Sequence, residues 1–254
     1  MARFYTEKDE LKKPKIDNGN IVNFFNIRAG KIEELDPLRV VMYQDGNPKL
    51  VIQRDIAEKE ILLPKLKLDN NTRILDVGCG TGRWVDSLGD SFKHYHGIDI
   101  GSGFINYARN KFKNNNIKFS VNKIENLSLE VLEEDEKFNL LLCMGVLIYL
   151  NDDDLIRALK SINEMMSANS RLVFREPIAM FERLTLIDEY SEEMQQKYSA
   201  IYRTQAELLS FFILYLNKFN IMECDVLFDD SLNNRKDTQQ HYFILDCNCE
   251  AIYD

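Results

Sequence analysis

Three glycines at alternate positions, Gly78, Gly80 and Gly82, stand between two carboxylates, Asp76 ahead of them and Asp99 beyond. With no Cβ, backbone at such positions turns tightly and lies directly against a ligand. The apolar run Thr72 to Val77 predicts a strand feeding this turn, and a helix begins near Arg83. A second strand, His94 to Ile100, carries Asp99 at its tip, where a carboxylate accepts hydrogen bonds from two adjacent ribose hydroxyls. That pairing calls for a nucleoside. The spacing is not the G-x-G-x-x-G of dinucleotide sites, which aim a helix N-terminus at a pyrophosphate. Asp76, two residues before the first glycine, repels a pyrophosphate and suits a ligand with a positive amino group.

S-adenosylmethionine (SAM) brings that amino group and a ribose, and no phosphate. The segment Leu75-Asp76-Val77-Gly78-Cys79-Gly80-Thr81-Gly82 closely resembles motif I of the class I SAM-dependent methyltransferases, and Gly97-Ile98-Asp99-Ile100 resembles their ribose-binding second strand. The resemblance implies an α/β, Rossmann-like fold: a seven-stranded, mostly parallel sheet with an antiparallel last strand and helices on both faces. It also implies SAM as cofactor and S-adenosylhomocysteine as product. Cofactor contacts are then expected from Asp76, Gly78, Cys79, Gly80, Gly82, Asp99 and Ile100. Ile124 is expected at the adenine edge, and Met144 and Gly145 beside the methionine part. Lys123 stands where relatives often place an acid against the adenine.

The elements that must position these residues are legible as alternation. Strands are expected at 72–77, 94–100, 117–122, 137–143 and 170–176, with helices at 82–89, 102–113 and 151–167 between them. This pattern predicts a parallel sheet covered on both faces. Asn151-Asp152-Asp153-Asp154 is an acidic helix start suited to the positive dipole end. Thr204-Gln205-Ala206-Glu207 reads as a capping box opening a helix to about Lys218, followed by strands near 221–228 and 241–248. The chain divides into an irregular N-terminal lead or lid, 1–53, and a methyltransferase domain, 54–254, with an insertion at about 178–203. Asp36-Pro37 and Gly46-Asn47-Pro48 read as turns within the lead, and Arg54 to Leu66 as a helix with Ile56, Ile61, Leu62 and Leu66 on its apolar side. Phe24, Phe25 and Arg28 fit either a lid over the cofactor or ordinary packing.

The 254 residues suffice for one substantial core, and 45% apolar with 29% charged residues is ordinary for a soluble protein. The longest apolar run, Leu140 to Leu150, is far short of the ~20 residues of a membrane span. The polar N-terminus shows no signal peptide, and five cysteines without metal-ligand spacing fit a reducing cytoplasm. Cys247 and Cys249 read as a buried thiol pair on one strand face, and no metal is expected. A net charge of −9 with no basic run after Lys15 argues against nucleic acid. The expected partner is a small-molecule acceptor, with no nucleic acid and no membrane, for a monomer or homodimer.

For the acceptor, Arg175, Arg183, Tyr190, Tyr198, Tyr202 and Arg203 form a stretch richer in Arg and Tyr than a linker requires. Arg forks suit phosphate or carboxylate. Tyr149, Arg175, Tyr202 and Arg203 are the expected acceptor contacts. The family's topology lays the last strand beside the fifth, which brings His241 and the loop with Arg235 and Lys236 near Glu176. His241 and Glu176 are thus the candidate general bases. The segment Tyr198 to Thr204 resembles methyltransferases of bacterial surface-polysaccharide clusters, including those linked to capsule methyl phosphoramidate. The expected reaction is methyl transfer to a small polar acceptor, an oxygen of a sugar, phosphorylated or nucleotide-linked intermediate. N-methylation of a small amine or amino sugar is the alternative, and an inactive SAM-fold accessory subunit a second. The absence of an Asn/Asp-Pro-Pro-Tyr/Phe signature argues against amide or base nitrogens.

Overall fold

The computed structural model describes residues 3–5 and 13–247. Its centre is a seven-stranded sheet in the order β4–β3–β2–β5–β6–β10–β9. These strands are β2 (Arg73–Val77), β3 (His94–Asp99), β4 (Ile117–Val121), β5 (Phe138–Met144), β6 (Met166–Ala179), β9 (Asn220–Val226) and β10 (Thr238–Asp246). β2 pairs in parallel with β3 and β5, as do β3 with β4 and β5 with β6. β10 alone runs reversed, antiparallel to both β6 and β9. This is the Rossmann-like sheet expected, with the reversed strand inserted beside β6.

Both faces are covered because the central strands are apolar on both sides. On one face lie α7 (Asp152–Met165) and α8 (Gln205–Tyr215). α7 repeats Leu155, Leu159 and Ile162 at helical spacing and buries them against Leu141, Leu172 and Phe174, each worth ~1.5–3 kcal/mol relative to exposure. On the other face lie α3 (Pro48–Leu62), α4 (Val85–Leu88) and α5 (Ser102–Lys111), meeting Ile74, Leu140, Leu142 and Val173. A short α6 (Leu129–Leu132) precedes β5.

The first fifty residues differ from the irregular lead expected. They contain α1 (Asn18–Gly30), α2 (Pro37–Met42) and the start of α3, which runs on to Leu62, so a boundary at residue 53 falls inside a helix. The dipeptides read as turns are helix starts. Asp36 accepts from Arg39 N at 2.9 Å and Asn47 from Leu50 N at 3.1 Å, each followed by proline at the first helical position. The segment 178–203 is also ordered. It forms a hairpin, β7 (Leu184–Ser191) and β8 (Gln196–Tyr202), with β1 (Arg3–Tyr5) along its edge. α1, α2 and this hairpin share a third apolar cluster above the sheet, built on Phe24, Val40, Tyr149, Leu186 and Ile201.

Asn151 does not cap α7; its side chain bonds the backbone of Ile16 at both N and O, tying residues ahead of α1 to the sheet's upper edge. Cys79, Cys143 and Cys247 are buried thiols, and Cys249 lies outside the described residues. No helix among the described residues is long and apolar enough to cross a membrane.

Candidate active site

The carboxyl ends of β2, β3, β5 and β6 open onto a cavity of about 220 Å³, roofed by α1, α2 and the hairpin. Asp76, Gly78, Cys79, Gly80, Asp99, Ile100, Ile124, Met144 and Gly145 all line it. Gly82 does not. Its φ is +76°, and a Cβ there would come within 2.6 Å of the Phe112 ring, so this glycine makes room between α5 and the turn. Gly78 and Gly80 serve the cavity. Their φ values are +70° and +54°, and added Cβ atoms would collide with Val146 at 2.3 Å and Val41 at 2.8 Å.

Asp99 is buried and holds the turn together. Its two oxygens accept from Gly80 N at 3.0 Å and Gly101 N at 2.7 Å. Burial pushes its carboxyl up to about 6 against these bonds. Asp76 accepts from the Tyr95 hydroxyl at 2.6 Å, and burial pushes it to about 7.

Helix α3 contributes residues that the sequence pattern concealed. Ile56, on the expected apolar side, is half exposed, whereas Glu58 is fully buried and lines the cavity. Glu58 accepts from Arg83 at 2.8 Å and Arg175 at 3.4 Å, while Arg83 also bonds Asp55 at 2.6 Å. Burial alone would raise Glu58, but the Arg175 and Arg83 guanidiniums overcome it and hold the carboxyl below its ordinary value. Glu58 Oε2 and Trp84 Nε1 are buried without partners among the described residues, a spare acceptor and a spare donor on residues that line the cavity. Buried polar atoms are rarely left so. A ligand carrying an ammonium and a carboxylate provides what they lack, so these residues fit SAM.

At the other end, Tyr149, Arg175 and Tyr202 line the cavity, joined by Tyr198, Arg54 and Arg235. Arg235 donates to the hydroxyls of Tyr198 and Tyr202 at 3.1 and 3.2 Å and to Glu193 at 3.1 Å. Arg54 is held by Leu232 O, and burial together with the repulsion of Arg235 lowers it to about 10. Burial pushes the hydroxyls of Tyr43, Tyr149 and Tyr202 well above the usual tyrosine range. Among the described residues, no histidine lines the cavity.

Arg203, Glu176 and His241 lie elsewhere. Arg203 is buried beneath the loop after β5, donating to Leu147 O at 2.9 Å, Leu150 O at 2.7 Å and Asp152 at 2.6 Å. Glu176 and His241 are register partners of β6 and β10, so they share a sheet face. Alternation gives the cavity face to their neighbours Arg175 and Gln240, which line it. Glu176 is buried on the opposite side, accepting from Val146 N at 2.9 Å and Leu147 N at 3.0 Å. His241 packs on Phe243 and meets Gln239 at 3.3 Å. The inherited topology gave the right neighbourhood; the strand period decides the face.

Burial pushes Glu176 up to about 7 from an ordinary 4.5. The folded carboxyl therefore holds its proton in a window where the unfolded one has lost it, and raising pH through that window withdraws stability. Glu176→Gln keeps an oxygen for the two N–H groups and removes the titration. Urea midpoints at pH 5 and pH 8 should fall less for the variant than for the wild type. Equal falls would refute the assignment.

Residues 74–169 match the family model described as a methyltransferase domain. A malonyl-[acyl-carrier protein] O-methyltransferase of Acetivibrio thermocellus is 36% identical over 119 residues, 43% of this chain and 40% of that protein. Residues 74–169 are thus similar to a methyltransferase domain. A phosphoethanolamine N-methyltransferase of Plasmodium falciparum is 28% identical over 57% of this chain and 53% of its own length. The chain thus spans about half the length of these curated relatives or less. A Haemonchus contortus phosphoethanolamine N-methyltransferase, solved with phosphoethanolamine and S-adenosylhomocysteine, shares the fold with TM-score 0.66 at 14% identity, over 89% of this chain and 48% of that one. The matched stretch begins inside β2 and ends in β6, so it carries the glycine turn, Asp99 and the loop after β5. α3, the hairpin and β10, which line the far end of the cavity, lie outside it.

Proposed function

We propose that the chain transfers the methyl group of SAM to a small anionic acceptor whose nucleophile is an oxygen already carrying negative charge. The observation that carries this is the acceptor end of the cavity. It sets Arg54, Arg175 and Arg235 among tyrosines whose hydroxyls stay protonated, and no described histidine lines it. Buried guanidiniums favour phosphate or carboxylate. The carboxyls that burial raises, Asp76 and Asp99, belong to the glycine-turn end of the cavity, so at the acceptor end the nucleophile must be reactive as it arrives. Phosphorylated and nucleotide-linked sugars belong to this class, as do the capsule phosphoramidate intermediates suggested by Tyr198 to Thr204.

When bound, SAM supplies a methyl group activated on a sulfonium. The protein's task is then alignment, which is worth ~7–11 kcal/mol in favourable cases. Asp99, Gly78 and Gly80 hold the nucleoside end, and Glu58 and Trp84 offer partners to the amino-acid end. Arg235, steadied by Tyr198 and Tyr202, orients the acceptor anion. The roof of α1, α2 and the hairpin excludes water. On this reading Glu176 and His241 position the loop after β5 and the end of β10.

Methyl-labelled SAM should transfer label to acceptors in a panel of phosphate monoesters, nucleotide-linked sugars and carboxylates, with O-methyl products. Arg235→Ala should raise the acceptor KM about tenfold or more with S-adenosylhomocysteine affinity unchanged, the expected loss of a charged hydrogen bond of ~1.5–3 kcal/mol. His241→Ala should keep kcat within about twofold. Transfer to neutral amines alone would favour the N-methylating reading, and absence of any transfer by protein that binds cofactor would favour the accessory subunit.

A further inference from the structure

The far end of the sheet holds a second set of donor atoms. His94 and His96 are alternate residues of β3 and share one face, and Glu134 reaches them from the loop between α6 and β5. Glu134 Oε1 lies 2.9 Å from His94 Nε2 and 2.8 Å from His96 Nδ1. The ligand atoms of the three residues lie within 4.8 Å of one another. His94 opens the strand that Asp99 ends, and at ~3.3 Å per residue the cluster is roughly 16 Å from the cofactor turn. None of the three residues lines the cavity, so methyl transfer makes no use of them.

We propose that His94, His96 and Glu134 form a structural site for a divalent transition metal ion, zinc above others. Two imidazole nitrogens and a carboxylate oxygen are a zinc donor set. Around a tetrahedral ion with bonds of ~2.0–2.1 Å the donors stand ~3.4 Å apart, so the two N···O separations need to open by only about half an ångström. His96 is already oriented for it. Its Nε2 lies 2.7 Å from Ser120 Oγ, so a ring that turns a bare Nδ1 toward the ion keeps Nε2–H to donate to that hydroxyl. Such an outer bond fixes the tautomer of metal-ligating histidines. Glu134 is oriented likewise, because its Oε2 accepts from Arg73 Nη2 at 2.7 Å and leaves Oε1 facing the rings. His94 is partly exposed, with 17% of its side chain accessible, which gives a path for the ion and room for a water as fourth ligand.

The charges nearby decide the kind of ion. Arg73 neutralises Glu134, and Lys118 Nζ stands 3.8 Å from Glu134 Oε1 while donating to Leu132 O and Glu133 O. A hard cation such as calcium or magnesium needs several carboxylate or carbonyl oxygens, whereas here a single carboxylate is already shared with Arg73 and Lys118, and the nearby carbonyls of Leu132 and Glu133 accept from Lys118. An ion bonded chiefly through imidazole nitrogen is less dependent on net negative charge. Bound there, it clamps the loop before β5 to the start of β3, replacing a bridge of two hydrogen bonds with coordinate bonds.

The test is calorimetric titration of the untagged, chelator-stripped full chain with zinc chloride at pH 7.5, with cobalt(II) absorption to report geometry. One ion per chain and tetrahedral cobalt bands are expected. His94→Ala and Glu134→Gln should each weaken zinc about tenfold or more, the usual scale of such losses at metal sites. His241→Ala, which alters the third of the chain's 3 histidines, should leave zinc affinity unchanged. Circular dichroism establishes folding of each variant, and His94→Gln serves if His94→Ala fails to fold. Absence of zinc heat and of cobalt bands in the folded wild type would overturn the proposal. So would zinc affinity undiminished by His94→Ala or His94→Gln, since the ion would then sit elsewhere.

Discussion

Asp99→Ala is expected to weaken binding of S-adenosylhomocysteine by about 1–3 kcal/mol, roughly 5- to 150-fold. Two losses combine. The ligand's ribose hydroxyls lose a buried acceptor. The glycine turn also loses its tie, because the same carboxylate accepts from Gly80 N and Gly101 N. Asp99→Asn separates the two. It preserves shape but turns an amide N–H toward one of those backbone donors, so the turn is strained even where the ribose keeps an oxygen. Affinity should also depend on pH. Burial raises Asp99 to about 6. Protonation removes acceptor capacity, so binding should weaken as pH falls below about 6 and flatten above it. Calorimetry of wild type and both variants at pH 5 and 7.5 checks this. An Asp99→Ala protein that folds and binds as tightly as wild type would remove the residue from the cofactor site.

The glycine-turn side of the cavity was legible because its signals are local. Asp76, the glycines and Asp99 sit within one strand–turn–helix–strand unit, where spacing alone fixes geometry. Glu58 was hidden because its neighbours obey the wrong pattern. Ile52 and Ile56 are about half exposed on α3, while a carboxylate is fully buried between two arginines, so the apolar period points away from the functional face. Arg203 misled for a related reason. An arginine before a capped helix resembles an anion site, but Asp152, fifty-one positions away in sequence, takes up its charge. Glu176 and His241 show the limit of topology as a guide, since register places them side by side yet the period of two turns both from the cavity. The turn signals at residues 36–37 and 46–48 conceal the helices they start, because a capping residue with proline at the first helical position is also a turn signal.

The roof over the cavity depends on one buried arginine, and Arg28→Ala is expected to cost about 3–5 kcal/mol. Arg28 is fully buried. It forks onto Asp45, with Nη1 and Nη2 at 2.6 and 2.7 Å from the two carboxylate oxygens, and its Nε and Nη2 also donate to Val40 O at 3.1 and 2.8 Å. These bonds lock α1 to α2 and to the turn before α3. Removing the guanidinium leaves Asp45 buried with only Lys31 Nζ, 3.7 Å away, as its remaining ion-pair partner among the described residues. Arg28→Lys should recover little, because an ammonium cannot reproduce the fork. The loss is concentrated in the roof. Ile21, Phe25, Val41 and Tyr43 come from the elements that Arg28 joins, and all four line the cavity. A loosened roof should therefore weaken S-adenosylhomocysteine as well, although Arg28 itself does not line the site. Urea denaturation measures the stability change, and limited proteolysis locates it, with cleavage expected first between α1 and α3. Saturating S-adenosylhomocysteine should restore protection in the variant, because ligand that binds only the closed form stabilises it by mass action. Unaltered proteolysis with unaltered cofactor affinity would mean that the roof is held by its apolar cluster alone, and that the Arg28–Asp45 pair only replaces interactions each partner would otherwise make with water.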